Sequence, residues 1–480
     1  MERLRPGDAA LLDMESSSAP MHLATVEVFE PGEEPFDYAR LVSLVGDRLA
    51  FVPRYRQRLM QVPGGLAAPI WVDDPYFDIT YHVRQSAVPR PGTMAQVQEL
   101  VARIIARPLD RARPLWEMYL IEGLEDGRVA ILAKSHQTLV DGVSTIDLGQ
   151  VILDNDTVTR ERIPDDWHPR RAPAAASLLA SAVADRARSA DPIAAAGDVG
   201  AKLLRNNPLV RSLQGRRNAA ESPLQATLSQ QRRFHTVRTD LDDYRKVRRV
   251  HGATVNDVVL ATVTGALRLW LMTRAESVHS SRQLRAMVPM SVMDSDLEPT
   301  SLGSQVTGHV LALPIGENSP VVRLHQVSYA LKAHRDTGKA VSALRLIGIG
   351  GFAPTTFHAL GARVAADSRG RDFNLVVTNV PGPQFPLYAA GARMLESYPV
   401  QPLLPDHALA IGVTSYDGGV HYGLTADRDA IPDIEVIGQC VEEALAELVE
   451  TTTESRMRAP RGRFDAPAGL PGPGEDGGED

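Results

Sequence analysis

Twice along this 480-residue chain an apolar run reaches an Asp-Gly pair and resumes as a second apolar run. Trp116 to Ile121 leads through Asp126-Gly127 to Val129–Lys134, and Ala408 to Tyr416 leads through Asp417-Gly418-Gly419 to Val420–Thr425. Asp-Gly accepts the left-handed backbone of a tight reversal, so each unit reads as a β-hairpin. The two hairpins stand in opposite halves of a chain too long for one ordinary core, which suits domains of roughly 150 to 250 residues. Two lobes with a cleft between them is the expectation.

The flanking pattern is mixed. Met21 to Phe29 alternates as a strand, and Phe36 to Leu49 carries apolar residues at helical spacing before Pro53. Thr93 is a plausible N-cap for a helix through Val97, Leu100, Val101 and Ile105. In the second half an apolar helix runs from Val255 to Leu271, strands from Leu284 to Val292 and Val306 to Leu313, and helices around His325 to Lys332, Leu344 to Ala366 and Ile434 to Leu448. Between the halves, Ala, Pro, Arg and Ser dominate, which reads as a connection rather than a core. The expected division is a first lobe over 1–160, a helical basic connection over 161–233, a second lobe over 234–453 and a disordered tail over 454–480, whose end reads GLPGPGEDGGED.

Composition excludes several classes. An apolar fraction of 44% with 23% charged residues is that of a globular chain, and the single Cys440 excludes a disulfide framework or multi-cysteine metal site. No uninterrupted apolar stretch reaches the roughly 18 to 20 residues that cross a bilayer, and the N-terminus lacks the apolar segment of a signal peptide. The cytosol is the expected compartment, with any membrane contact peripheral at its inner face. A net charge of −8 argues against nucleic acid as a partner. The chain carries no Walker loop, Gly-x-Ser-x-Gly elbow or His-Glu-x-x-His helix, and the Gly348-Ile349-Gly350-Gly351 run precedes no clear phosphate-binding helix.

His136 falls where the first hairpin's return strand ends, and from Gly142 a helical pattern resumes, so His136-Gln137-Thr138-Leu139-Val140-Asp141-Gly142 is a strand-to-helix loop able to face a cleft. A His and an Asp five residues apart in a loop are more often a local hydrogen-bonded pair than a catalytic one. The loop has company, however. Asp8-Ala9-Ala10 with Pro20-Met21-His22, Arg113-Pro114-Leu115-Trp116-Glu117, Asn256-Asp257-Val258-Val259, Val288-Pro289-Met290-Ser291, Asn379-Val380-Pro381-Gly382-Pro383 and Ser415-Tyr416-Asp417-Gly418 follow in fixed order.

Together these segments resemble the wax ester synthase/diacylglycerol acyltransferase family, whose signature is HHxxxDG and whose relatives include the condensation domains; the resemblance runs to about Leu448. It implies an α/β fold of two chloramphenicol-acetyltransferase-like lobes, each a mixed sheet flanked by helices, with the active-site tunnel between them. It also implies direct transfer of a long-chain acyl group from acyl-CoA, the co-substrate, to a neutral-lipid alcohol such as diacylglycerol or a fatty alcohol, with no cofactor. A condensation-type reaction on carrier-bound thioesters follows the same motif logic, but no carrier segment is evident. Residues on the motif positions are His136, Gln137 and Asp141 as catalytic, with Gly142, Pro114, Trp116, Asn256, Asp257, Asn379, Pro381 and Gly382 shaping the cleft.

The same segments have scaffold readings. Asn256 and Asp257 can cap a helix, Pro114 and Trp116 can start a strand and bury an indole, and Asn379 to Pro383 can be only a rigid turn. One position departs from the family: its second His, the general base, is Gln137 here, and an amide holds no extra proton at physiological pH. A positioned base typically contributes about 10² to 10⁴ in rate. Three outcomes stand open: His136 acts as base in a re-aimed loop with Gln137 orienting the alcohol or polarising the carbonyl; transfer relies on positioning and is slow; or the chain binds acyl-CoA or lipid without transfer. Between Arg186 and Arg233, nine basic residues against three acidic leave +6. That stretch is either a solvated linker or the surface that meets anionic headgroups, lipid droplets or coenzyme A phosphates.

Overall fold

The computed structural model describes residues 2–32, 34–140, 147–157, 165–188, 222–276, 278–279, 281–291, 306–336, 354–367 and 372–457. Asp141, Gly142, the Gly348–Gly351 run, the 458–480 tail and most of the basic stretch, 189–221, lie outside them.

Two six-stranded mixed sheets organise the chain among the described residues. The strands of the first half are β1 (Glu2–Arg3), β2 (His22–Glu30), β3 (Gln57–Met60), β4 (Ile70–Asp73), β5 (Val83–Ala87), β6 (Trp116–Glu122) and β7 (Val129–His136). Those of the second are β8 (Arg232–Asp240), β9 (Leu284–Ser291), β10 (Val306–Leu313), β11 (Leu375–Pro381), β12 (Tyr388–Ala389), β13 (Ala392–Val400), β14 (Leu409–Tyr416) and β15 (Gly419–Asp427). The sheet orders are β12-β13-β2-β7-β6-β5 and β10-β9-β11-β14-β15-β8, with β1-β4-β3 as a small third sheet.

The Asp-Gly pairs behave as their chemistry dictates. Asp126 and Gly127 have φ of 59° and 71°, Asp417 and Gly418 of 41° and 82°. In the second hairpin Tyr416 pairs directly with Gly419, leaving a two-residue turn whose central residues both have positive φ. Helix boundaries follow their caps. Thr93 and Gln96 form a reciprocal capping box for Met94–Ile105, and Thr254 and Asp257 form another for Val255–Thr273. By length and composition Val255–Thr273 could cross a membrane, but 72% of its apolar window is buried, packed between Leu241–His251, Pro320–Asp336 and Ile434–Met457.

The sheets correct the expected lobe boundaries in one respect. β12 and β13 lie within 234–453, yet β13 pairs antiparallel with β2, Ser397 opposite Glu27 and Pro399 opposite Thr25, and so belongs to the first sheet. On leaving that sheet the chain crosses the second one. Gly412 on β14 and Gly423 on β15 are paired neighbours, and both lie under Pro399. A Cβ on Gly412 would stand 2.8 Å from Pro399 Cγ, and one on Gly423 would overlap the Pro399 carbonyl oxygen. Two bare positions side by side are what let the strand approach the sheet so closely.

The connection also differs from a free linker. Leu178 and Ala182 of helix Ala175–Arg188 are buried against Val62, Ile70 and Val72, and Arg170 donates to Asp73, so this part packs on the first half. Helix Ile434–Met457 carries the ordered chain past 453. Conversely, Met94–Ile105 of the first half packs on β8 of the second, where Gln98 donates to Thr236 at 2.7 Å.

Gly423→Ala places a methyl group where a carbonyl already stands, and backbone on both sides limits relaxation. Overpacking of this kind typically costs about 1 to 3 kcal/mol or more. The expected outcome is a lowered urea midpoint with an unchanged slope, whereas Gly418→Ala, which meets nothing within 4 Å, shows only the smaller cost of its positive φ. Equal losses for the two variants would contradict the close approach.

Candidate active site

β7 ends on His136, and the ladder with β2 runs one step further: His22 pairs with His136, and the Gln137 N–H donates to the Met21 carbonyl at 3.1 Å. On the other side the His136 N–H donates to Leu115 O at 2.9 Å. The first residues of the motif are thus still held as strand. Because neighbouring residues of a strand face opposite ways, His136 shares the side of His22, Ala24 and Val26, and Gln137 shares the side of Met21, Leu23, Thr25 and Glu27.

His136 is buried and its hydrogen bonds define its tautomer. The Thr138 N–H donates to Nδ1 at 3.1 Å and the Thr138 hydroxyl lies 2.8 Å from the same atom, so Nδ1 is an acceptor and the ring proton sits on Nε2. Nε2 faces Glu15 Oε2 at 3.8 Å, and Arg111 Nε donates to that same carboxylate oxygen at 2.7 Å. Burial first, then the Arg111 and Arg363 charges, push the His136 pKa down to about 3. The lone pair of this imidazole is already engaged, and the ring stays neutral through the physiological range.

Gln137 is the opposite case. Its side chain is fully buried, and neither Oε1 nor Nε2 has a hydrogen-bond partner among the described residues. Its carbonyl accepts from Arg363 Nη1 at 3.1 Å, and the same nitrogen lies 3.4 Å from Val140 O. Arg363 stands on helix Pro354–Asp367 of the second half and is ion-paired with Asp8 on helix Pro6–Met14. The loop is therefore clamped from both halves of the chain. Past 147 the chain is tied down again: the Tyr55 hydroxyl accepts from the Leu148 N–H at 3.0 Å and donates to Asp147 at 3.2 Å, while Asp147 caps Leu148–Val151.

The other motif residues divide between scaffold and cleft. Pro114 O accepts from the Trp116 N–H, and the Trp116 indole donates to Tyr55 O at 2.8 Å while stacking on His82 with centroids 4.6 Å apart. In the second half, Thr254 rather than Asn256 is the helix cap. Asp257 reaches back to the Thr254 N–H at 2.8 Å and also accepts from Ser328 at 2.9 Å. Asn256 instead accepts from Asn379 at 2.8 Å, and Asn379 to Pro381 continue β11 instead of forming a turn. The turn begins at Gly382, where a Cβ would overlap Ser415 O and the N–H donates to Ser415 Oγ at 3.2 Å. A small cavity of about 30 Å³ lies beside Gly382 and Pro383, between β2, β13 and β14, with Glu27, Gln150, Ser397 and Thr414 on its walls.

Sequence reasoning missed Arg363, Arg111 and Glu27 as site residues. Asp8, which it noted, was the available signal for a buried cationic partner. Glu27 is 2% exposed with Oε2 unpartnered among the described residues. Burial, and then the Asp147 charge, raise its pKa to about 8.

A family model described as the wax ester synthase/diacylglycerol acyltransferase catalytic domain matches residues 4–259, and one described as the WS/DGAT C-terminal domain matches 302–449. A probable diacylglycerol O-acyltransferase of Mycobacterium tuberculosis, tgs2, is 32% identical over 464 residues, 93% of this chain and 99% of that protein. Another from the same organism, tgs3, is 43% identical over 259 residues, 51% of this chain and 95% of that protein. The solved wax ester synthase/diacylglycerol acyltransferase of Marinobacter aquaeolei superposes with a TM-score of 0.67 at 27% identity, covering 94% of this chain and 100% of that one. The two sheets with their flanking helices are the two chloramphenicol-acetyltransferase-like lobes of that fold.

Opposed pKa shifts set the pH profile of stability. His136, His358 and His421 are each held near 3 chiefly by burial, so the unfolded chain takes up more protons below about pH 6.5 and the stability present above that value is lost towards pH 3. Glu27 acts inversely: it keeps its proton to about 8 when folded but releases it near 4.5 when unfolded, so its contribution falls as pH rises between those values. Three histidines outweigh one carboxyl below 6.5; between 6.5 and 8 the carboxyl dominates, opposed towards 8 by Lys134, which burial lowers to about 8. Urea denaturation is expected to show a maximum near pH 6 to 7 and a decline of about 1 kcal/mol towards pH 8. In Glu27→Gln that decline disappears; its persistence would mean the carboxyl is not protonated in the fold.

Proposed function

Because the chain belongs to the wax ester synthase/diacylglycerol acyltransferase family, we propose that it moves a long-chain acyl group from acyl-CoA to diacylglycerol or a fatty alcohol, with the Gln137 amide at the reacting centre. One observation carries the assignment: a fully buried amide with both polar atoms unpartnered among the described residues, its backbone held in the family's motif loop by Met21 of the first lobe and the Arg363 side chain of the second. Buried polar groups without partners are rare, and a substrate supplies the missing ones here.

In the transfer the alcohol oxygen attacks the thioester carbonyl carbon. A C–O bond forms, the C–S bond breaks, and the hydroxyl proton ends on the departing coenzyme A sulfur. Gln137 Nε2–H donates to the carbonyl oxygen as negative charge gathers on it, and Oε1 accepts the hydroxyl and orients it. His136 supports this as a neutral ring holding Thr138. For His136 to accept the alcohol proton, Nδ1 would first have to release Thr138, since Nε2 already carries hydrogen. The reaction consequently runs on positioning and electrostatics and is slow. Asp141, assigned by resemblance to hold the loop, lies outside the described residues.

Among the described motif residues none offers a free protonatable group, which favours a second reading, binding of acyl-CoA or lipid without turnover. Purified protein with palmitoyl-CoA and either dioleoylglycerol or hexadecanol separates them by thiol release and ester formation. Slow turnover is expected in the natural protein, a fall of about 10² to 10³ in kcat for Gln137→Ala, and a gain for Gln137→His. Gln137→Ala at full rate would remove the amide from the mechanism. No natural turnover combined with activity in Gln137→His would establish the binding reading.

A further inference from the structure

We infer that Asp8 and Arg363 are a positioning pair for the transfer: carried by helices from opposite halves of the chain, they fix the main chain of Gln137 and so the direction in which its amide is presented. The inference rests on the reading above for the role of Gln137 only.

A side chain leaves its Cα in the direction that the two flanking peptide planes allow. Around Gln137 every polar group of both planes is engaged. In the plane before it, the Gln137 N–H donates to Met21 O at 3.1 Å and His136 O accepts from the Leu139 N–H at 2.9 Å. In the plane after it, the Thr138 N–H donates to His136 Nδ1 at 3.1 Å and Gln137 O accepts from Arg363 Nη1 at 3.1 Å. Three of these four bonds are made within the first half of the chain. The fourth comes from the second half and from a charged donor, which makes a hydrogen bond about twice as strong as a neutral one. The same nitrogen lies 3.4 Å from Val140 O, so one guanidinium holds two carbonyls of the motif loop.

Arg363 works from a rigid base. Its helix, Pro354–Asp367, lies close on the second sheet: a Cβ on Gly361 would stand 3.0 Å from Pro289 Cγ and 3.1 Å from Thr378 Cγ2, and His358 Nδ1 lies 2.7 Å from the Thr378 hydroxyl. From there the guanidinium, 14% exposed, reaches the buried Asp8 carboxylate on helix Pro6–Met14. That helix is wedged between the halves. Leu11 and Met14 pack with Ala365, Ala366 and Phe373 of the second half, whereas Leu12 belongs to the core of the first. At its far end Arg111 donates to Leu12 O at 2.9 Å and to Glu15, whose carboxylate faces His136 Nε2 at 3.8 Å. A single nine-residue helix thus runs from the arginine that holds the Gln137 carbonyl to the carboxylate that faces the His136 ring. An ion pair that served only to join two lobes would have no reason to spend its remaining N–H groups on the motif loop. Placed here, it makes the geometry at position 137 depend on how the two halves meet.

Kinetics and hydrogen exchange on the full chain test the pair together. Arg363→Met, Arg363→Lys, Asp8→Asn and the double variant Asp8→Asn/Arg363→Met are assayed with radiolabelled palmitoyl-CoA and hexadecanol, and exchange over 130–140 is followed by mass spectrometry. Arg363→Met is expected to lower kcat by about 10²-fold with KM for palmitoyl-CoA within about twofold of the natural value, the signature of misplacement rather than lost binding. Lysine keeps the charge without the planar fork and is expected to recover about tenfold of that loss. Asp8→Asn is expected to cost about 3- to 10-fold in kcat, and the double variant to match Arg363→Met within about twofold, because Asp8 acts through the arginine. The double variant also reads the site if Arg363→Met alone does not fold. Exchange over 130–140 is expected to be about tenfold faster in Arg363→Met, with Met94–Ile105 and Val255–Thr273 unchanged. A lowered thermal midpoint with kcat unchanged per folded molecule overturns the inference and assigns the pair to the scaffold, as does exchange over 130–140 no faster than in the natural protein. Absence of turnover in the natural protein and all variants overturns the transferase reading instead, and exchange then decides alone whether the pair holds Gln137.

Discussion

Pro399 resting on the paired glycines of β14 and β15 is the contact on which the arrangement of the lobes depends. It brings β13 across the second sheet and delivers it to the first, where it pairs with β2 over seven residues from Arg393 to Val400 apart from one bulge. β2 is also the strand that holds Gln137 through Met21 and carries Glu27. β14 carries Thr414, Ser415 and Tyr416. A single crossing strand thus fixes one wall of the cleft against the other, so the space between them is set by backbone packing rather than by surface side chains.

The motif loop is assembled on the same principle. Its entry is held by main-chain bonds to Met21 and Leu115, its carbonyls at 137 and 140 by Arg363, and the segment beyond it by Tyr55 and Asp147. Every anchor except Arg363 comes from the first lobe, and Arg363 is itself tied to Asp8 of that lobe. Groups fixed before the substrate arrives need no reorganisation when charge develops, which is where positioned hydrogen bonds are most effective. Burial keeps the His136 ring neutral beside the paired guanidinium groups of Arg111 and Arg363.

Local chemistry explains which parts of this were legible in the sequence. The Asp-Gly hairpins, the Thr93 cap and the apolar helix after Thr254 are decided by neighbours in the chain, and each formed where expected. β13 was hidden because Pro399 argues against a strand and its partner β2 lies at the other end of the chain. Arg363 was hidden because an ion pair between lobes leaves no local pattern. Glu27 was misleading in a more instructive way. In His22–Glu30 the alternation of Thr25 and Glu27 with Val26 and Val28 describes a strand with one wet face, yet eight of its nine residues are buried because the second lobe covers that face. A period-2 pattern reports which side is polar; it does not report whether water or another lobe stands there.

That distinction bears on position 137. A positioned general base contributes about 10² to 10⁴ in rate and a single oxyanion donor about 10² to 10³, so on the proposed reading glutamine recovers only part of what the missing base would supply and transfer is slow. With Gln137 at the proposed reacting centre, the exchange removes pH sensitivity near neutrality, because an amide does not titrate there and His136 is held neutral by burial. It also shifts the burden of proton transfer to the substrates themselves, where a departing thiolate is basic enough to receive the alcohol proton only as the C–S bond breaks. Such a centre gains most from holding both substrates still.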